Sequence, residues 1–208
     1  MPRGRSFRLL QWHDNVHDVE LVARGGARYP LEGAGDVWHF HPECEITLVT
    51  RGSGTRFIGD NISAFQAVDL VLIGAGVPHY WHGLHDSSGY ALQFSLDAGH
   101  PLQFLDETRE LEPLWENAKR GIQFTGGTQH RVHELLVSMS GQTGIGRFAA
   151  FMRILDILLN APEPERTCLS RKALTSGKQL ENSRGIQKAI AFILDHTQES
   201  LSLADVLQ

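Results

Sequence analysis

The sequence predicts a mainly β chain that turns helical in its second half. Two observations carry this. Residues 1–96 run in short apolar or alternating stretches cut by Gly, Asp and Asn, as strands joined by tight turns do. Beyond residue 100 the apolar spacing changes to three and four, the helical period. A third observation bears on function. The stretch from Gly33 to Gly52, GAGDVWHFHPECEITLVTRG, sets His39, His41 and Glu45 at offsets of two and four. In an extended strand such residues share one face, here with Glu43, Thr47 and Val49, while Phe40, Cys44, Ile46 and Leu48 line the other.

Taken in order, the strand candidates are Phe7–Trp12, Val19–Ala23, Val37–Thr50, Thr55–Ile58, Val68–Ile73, Pro78–Leu84 and Tyr90–Leu96. Gly59-Asp60-Asn61 and His85–Gly89 carry turn chemistry. Several strands at this spacing suggest a sandwich or a small barrel. Tyr90, Leu92, Phe94 and Leu96 share one face of the last strand; Ala91, Gln93 and Ser95 share the other. Phe104–Arg120 reads as a helix interrupted by Pro113 and stopped by Gly121. Thr128 is placed to cap a second helix with Val132, Leu135, Leu136 and Met139 on one stripe. A third helix carries Phe148, Phe151, Leu155, Leu158 and Leu159 and breaks at Pro162 and Pro164. The two stripes form a helical hairpin that covers the β unit or pairs with a second subunit. Residues 163–182 are polar and read as a linker. Ile186, Ala189, Ile190 and Ile193 mark an amphipathic helix within Ser183–His196, and Ser202 with Asp205 is a capping signal for another. One turn of helix cannot bury an apolar face by itself, so the expectation is a fragment, or a chain whose partner helices lie elsewhere.

Composition narrows the classes. A net charge of −5 excludes a globally basic, nucleic-acid-coating surface while leaving room for a small basic sub-region. Two cysteines far apart, Cys44 and Cys168, form neither a disulfide framework nor a CxxC pair, which points to a reducing cytoplasm. No signal-peptide core and no run of membrane-spanning length is present, so no membrane partner is expected.

The spacing Gly33, five residues, His39, one residue, His41, three residues, Glu45, six residues, Gly52 matches the first cupin motif in full. Gly74-Ala75-Gly76-Val77-Pro78-His79 resembles part of the second, with Gly74 where proline is usual and no trailing asparagine. The wider stretch HPECEITLVTRGSGTRFIGD with DLVLIGAGVPHYW resembles the sensor domain of AraC-family transcription regulators. SRGIQKAIAFILDHTQESLSLADV resembles the opening of the AraC-type DNA-binding domain; Leu207-Gln208 departs from it. The resemblance implies a cupin β-barrel (a double-stranded β-helix, or jelly roll) over 1–100 and a helical dimerisation region over 101–162. A linker over 163–182 and the start of a truncated helix-turn-helix domain over 183–208 would follow. It further implies a small-molecule effector, a homodimer, and DNA contact through helix-turn-helix units lying beyond this sequence.

Position by position, the cupin pattern makes His39, His41, Glu45 and His79 ligands of a divalent metal. Three imidazoles and a carboxylate suit Zn, Ni, Fe or Mn. The competing expectation is a metal-free polar pocket in which the same histidines donate hydrogen bonds. Glu43 shares the parity of Glu45, so alternation alone leaves both open. Trp38, Trp81, Gln93 and Glu43 are the candidate effector contacts. Trp81 shares parity with His79 and offers a ring for stacking. Arg56 reads as a solvated surface side chain, with contact to an anionic effector as the alternative, and Cys44 as apolar packing. No catalytic triad or phosphate loop stands out, so a non-enzymatic regulator is expected. A metal-dependent cupin enzyme (dioxygenase or isomerase) and a plain sugar-binding module are the rivals.

Overall fold

A computed structural model describes residues 6–14, 18–32, 37–84, 86–95 and 100–173, then 188–189, 192–193, 196 and 202–206. The strands in chain order are β1 (Phe7–Trp12), β2 (Asp18–Val22), β3 (Arg28–Glu32), β4 (Cys44–Arg51), β5 (Ser53–Ile58) and β6 (Asn61–Gln66). They continue with β7 (Asp69–Ile73), β8 (His79–His82), β9 (Ser88–Phe94), β10 (Ile122–Phe124) and β11 (Arg166–Cys168). The helices are α1 (Asp106–Arg109), α2 (Glu112–Ala118), α3 (Gly126–Met139), α4 (Gly144–Leu159) and α5 (Leu203–Val206).

Alternation along β4 organises two layers of core. β4 lies between β7 and β9, and the antiparallel registers align Leu72, Ile46 and Leu92 in one row and Leu70, Leu48 and Tyr90 in another. These rows point away from the small sheet and pack on Val132, Leu136, Phe151, Leu155 and Leu158 of α3 and α4. The opposite face carries Val49, Val71, Ile73 and Ala91, which pack with Ile58, Phe65 and Trp81 of a second sheet. The large sheet runs β11-β10-β7-β4-β9-β1-β2-β3 and the small one β6-β5-β8, every pairing antiparallel. The molecule is thus mainly β with helices: two facing sheets, jelly-roll-like, with the helical hairpin against the outer face of the larger one. Gly89 permits the close packing, because a Cβ there would meet the Trp12 ring and the Leu48 carbonyl oxygen at 2.3 Å.

Several expectations need correction. The strand expected over Val37–Thr50 begins only at Cys44; Pro42 and Glu43 form a bend before it. β3 and β6 were not legible, since β3 carries Pro30 and β6 is largely exposed on one side. β10 and β11 are three residues each, too short to show a period. The helix expected over Phe104–Arg120 is split into α1 and α2 just before Pro113, which sits in the first turn of α2, where its missing N–H costs nothing. Thr128 is buried inside α3 rather than capping it. The Glu165 carboxylate instead accepts from the backbone N–H groups of Gly127 (3.1 Å) and Thr128 (2.7 Å).

Arg56 is neither solvated nor placed for an effector. It is 2% exposed and its Nη1 donates to both Asp69 oxygens at 2.6 Å, joining β5 to β7. Gln123 of β10 completes the cluster by donating to Asp69 Oδ1 at 2.9 Å.

The segment expected to open the linker is partly ordered structure. Residues 163–165 form a 3-10 turn and β11 pairs with β10. Next, Leu169 N–H donates to Gly121 O (2.9 Å) and Ser170 N–H to Arg120 O (2.8 Å). Ser170 Oγ donates to Ile58 O at 2.9 Å, while Arg171 N–H reaches Asp60 Oδ1 at 3.0 Å. Residues 174–182 lie outside the described residues. Within Ser183–His196 the described positions 188–189 and 192–193 are helical. Ser202 and Asp205 cap each other's backbone as expected, at 2.8 and 3.4 Å.

Removing one member of the buried pair should cost far more than removing both. Asp69→Ala is expected to lower the unfolding free energy by about 3–5 kcal/mol in urea titration, and Arg56→Met/Asp69→Leu by much less.

Candidate metal and effector site

The site is assembled where residues 37–43 run beside the start of β8. His39 N–H donates to His79 O (3.2 Å) and His79 N–H to His39 O (2.9 Å), an antiparallel two-bond pair. Gly76 N–H donates to His41 O at 2.8 Å and ties the bend to the turn preceding β8. These main-chain bonds, rather than one continuous strand, bring the three histidines together. Their ligating atoms all lie within 4.8 Å of one another.

Each imidazole is oriented by a carbonyl two residues away. Nδ1 of His39 faces Val37 O (2.7 Å), that of His41 faces Glu43 O (3.0 Å) and that of His79 faces Val77 O (2.8 Å). A carbonyl only accepts, so each ring carries a proton on Nδ1; Nε2 of His39 and His79 is then the nitrogen left to offer, while His41 Nε2 donates to the Glu45 carboxylate at 3.2 Å when that ring is charged. His79 is 1% exposed, and its Nε2 has no hydrogen-bond partner among the described residues. A buried orphan nitrogen beside two further imidazoles is the arrangement a divalent metal satisfies, so these residues fit such an ion.

Beneath them lies a polar row set by register: Glu45 pairs across the sheet with Ile73 on one side and Gln93 on the other. The Glu45 carboxylate accepts from Gln93 Nε2 (2.6 Å) and from the Thr47 hydroxyl, and its Oε2 lies 3.2 Å from His41 Nε2. Its Oε1 is 4.0 Å from His79 Nε2. Gln93 Oε1 accepts in turn from Arg8 Nε of β1. Arg8 was missed in the sequence; only the β1–β9 register, which sets it opposite Gln93, could have found it.

Electrostatics follow from this packing. Burial pushes the His41 pKa down, but the Glu45 hydrogen bond and the charges of Glu45 and Glu43 outweigh it and leave it raised. For Glu45 burial acts upward, yet the His41 bond and the Thr47 hydroxyl hold the carboxyl far below the usual range. His79 is lowered to about 4, chiefly by burial and despite the Glu45 charge, so its ring stays neutral. The Cys44 thiol, packed on the outer core, is pushed up by burial to about 11.

The other expected contacts fall as follows. Glu43 is buried, with Oε2 3.6 Å from His41 Nδ1. Trp81 is buried with its ring 5.6 Å from that of His79, edge to face. Trp38 meets Phe57 of β5 at 6.4 Å between ring centroids.

No protein-family model and no curated protein matches the sequence. Among solved structures, the chain is similar to a cupin 2 conserved barrel domain protein from Rhodopseudomonas palustris (14% identity, TM-score 0.29), over 48% of this chain and 59% of that one. It is also similar to ToxT from Vibrio cholerae O395 (8% identity, TM-score 0.42), over 97% of this chain and 68% of that one. A third is the AraC-like transcriptional activator CuxR (12% identity, TM-score 0.41), over 99% of this chain and 72% of that one. The likeness extends to the fold alone. Among the described residues no helix is long and apolar enough to cross a membrane.

Neutral, buried His79 has a consequence for stability in metal-free protein. Its folded pKa, about 4, lies below the ordinary 6.5, so between those values the unfolded chain takes up a proton that the folded chain refuses. That contribution is present in full above pH 6.5 and is lost as pH falls toward 4. Urea titrations across this range should show His79→Gln flattening the acid slope relative to wild type.

Proposed function

We propose that this chain is the sensor portion of a ligand-responsive transcription regulator, with a small oxygen-rich, sugar-like effector bound between the two sheets at the histidine cluster. The observation that carries the reading of the site is the buried, unpartnered Nε2 of His79 facing two imidazoles already oriented by backbone carbonyls. His39, His41 and His79 would hold a divalent metal (Zn, Ni, Fe or Mn). Glu45 is the fourth ligand in this reading, reached by a small turn of a carboxylate now held by Gln93 and Thr47. The ion would supply Lewis acidity and positive charge for an effector's oxygens. Gln93 and Glu43 would orient hydroxyl groups, and Trp81 and Trp38 would supply ring faces.

The regulatory half of the proposal is supported by the sequence SRGIQKAIAFILDHTQESLSLADV, whose likeness to the start of an AraC-type DNA-binding domain gives the sensor something to control. DNA would be read by helix-turn-helix units that follow this sequence, in a homodimer of cytoplasmic protein. Coupling requires two states of the full protein with different effector affinity. A metal-dependent cupin enzyme, a dioxygenase or isomerase, is the second reading. It is favoured by the three-imidazole set, which leaves coordination positions open to a substrate.

Metal analysis of purified wild type beside His39→Ala/His41→Ala tests the site: about one divalent ion per chain is expected in wild type and a near-complete loss in the variant, as removal of two of the ligands requires. Equal content in both would end the ligand assignment. Turnover of a diol or catechol by metal-loaded protein would transfer the site to the enzyme reading.

A further inference from the structure

A cavity of about 580 Å³ lies on the side of the large sheet opposite the histidine cluster, between its β1–β2 end and the N-terminus of α4. The volume falls within the roughly 300–1,000 Å³ of small-molecule sites. Its lining includes Arg8, Arg24 and Arg147 and contains no carboxylate. Arg8 is engaged with Gln93 on the other face, which leaves Arg24 and Arg147 as the cations of this cavity.

Arg147 is the unusual one. It is 6% exposed, yet no carboxylate pairs with it among the described residues. Its Nη2 donates to Val22 O at 2.5 Å, its Cζ lies 5.7 Å from the centroid of the Phe7 ring, and its Nε has no partner. A carbonyl and a ring face stabilise the guanidinium without neutralising it, and a buried cation ordinarily has an anion beside it. Burial lowers the Arg147 pKa, and the charge of Arg24 lowers it further, which places a second guanidinium within electrostatic reach.

The helix end adds to this. Thr143 supplies no side-chain cap to α4, a helix of sixteen residues. Gly144, the first residue of α4, lines the cavity, and a Cβ there would meet nothing within 4 Å, so no other group crowds the uncapped helix end. Phe7 and Phe148 stand at the same cavity as apolar walls. Two guanidinium groups and a helix N-terminus balance a dianion, whereas a carboxylate would leave one cation uncompensated.

We propose that this cavity is a second ligand site and that it takes an organic phosphate, the phosphoryl group between Arg147, Arg24 and the first turn of α4 and a flat apolar body against Phe7 and Phe148. The site stands apart from the histidine cluster and does not depend on the metal.

The test is calorimetric titration of the whole chain, stripped of metal and dialysed, with phenyl phosphate and with inorganic phosphate. Phenyl phosphate should bind one per chain and more tightly than inorganic phosphate. Arg24→Ala, an exposed position that leaves the core intact, should weaken it about tenfold, as loss of one charge-assisted contact does. Thr143→Asp should abolish binding while raising the melting temperature, because a carboxylate at the N-cap of α4 takes up the first-turn N–H groups that the phosphoryl group would use. His39→Ala/His41→Ala should bind phenyl phosphate as wild type does. The proposal is overturned if folded wild type does not bind, if the two anions bind equally, or if Arg24→Ala or Thr143→Asp binds like wild type. Loss of binding in His39→Ala/His41→Ala would likewise overturn it, by moving the ligand to the histidine cluster.

Discussion

Strands β7, β4 and β9 are covered on both faces, by the helical hairpin outside and the small sheet inside. That double coverage constrains everything else. An apolar side chain is welcome on either face, but a polar one on the inner face must find its partners there. Glu45, Thr47 and Gln93 sit on that face, and they satisfy one another: Thr47 and Gln93 both donate to Glu45, and Arg8 donates to Gln93. The polar floor of the site is a consequence of burying the sheet twice. The outer rows, from Ile46 to Phe94, are free to be purely aliphatic and aromatic and to hold the hairpin.

The histidines need a second device, because two of them precede β4. The His39–His79 bridge joins the stretch before β4 to the first residue of β8, so residues forty positions apart in sequence become neighbours. Each ring is then fixed by a carbonyl of its own segment. Local backbone thus holds each Nδ1 proton and sets the aim of the ring, and the bridge sets distance. The three rings are thus held in place chiefly by main-chain partners, which preorganises the cluster.

What could be read from the sequence, and what could not, divides along range. The alternation in β4 and β9 placed Ile46, Leu48, Leu92 and Phe94 on one face and Glu45 and Gln93 on the other, and the α3 and α4 stripes were visible as Val132, Leu136, Phe151 and Leu155. Spacing grouped His39 and His41 with Glu45, and the resemblance to the cupin motifs added His79, although the geometry that joins the three histidines is a bridge and a bend. What stayed hidden depends on partners distant in sequence. Arg56 looks solvated until Asp69 and Gln123 arrive from other strands. Glu165 caps a helix that starts nearly forty residues before it. β11 is ordinary polar sequence that becomes a strand only because β10 offers an edge.

Ser170 is held from two sides at once. Its backbone answers to Arg120, just before β10 of the large sheet, and its hydroxyl to Ile58, at the end of β5 in the small one. Arg171 adds a bond to Asp60 on that same turn. Residues 169–171 are therefore pinned across the gap between the sheets, like the pivot of a calliper. Any change in the width of that gap has to be taken up at Ser170, the residue that both jaws grip through its own backbone and its own hydroxyl.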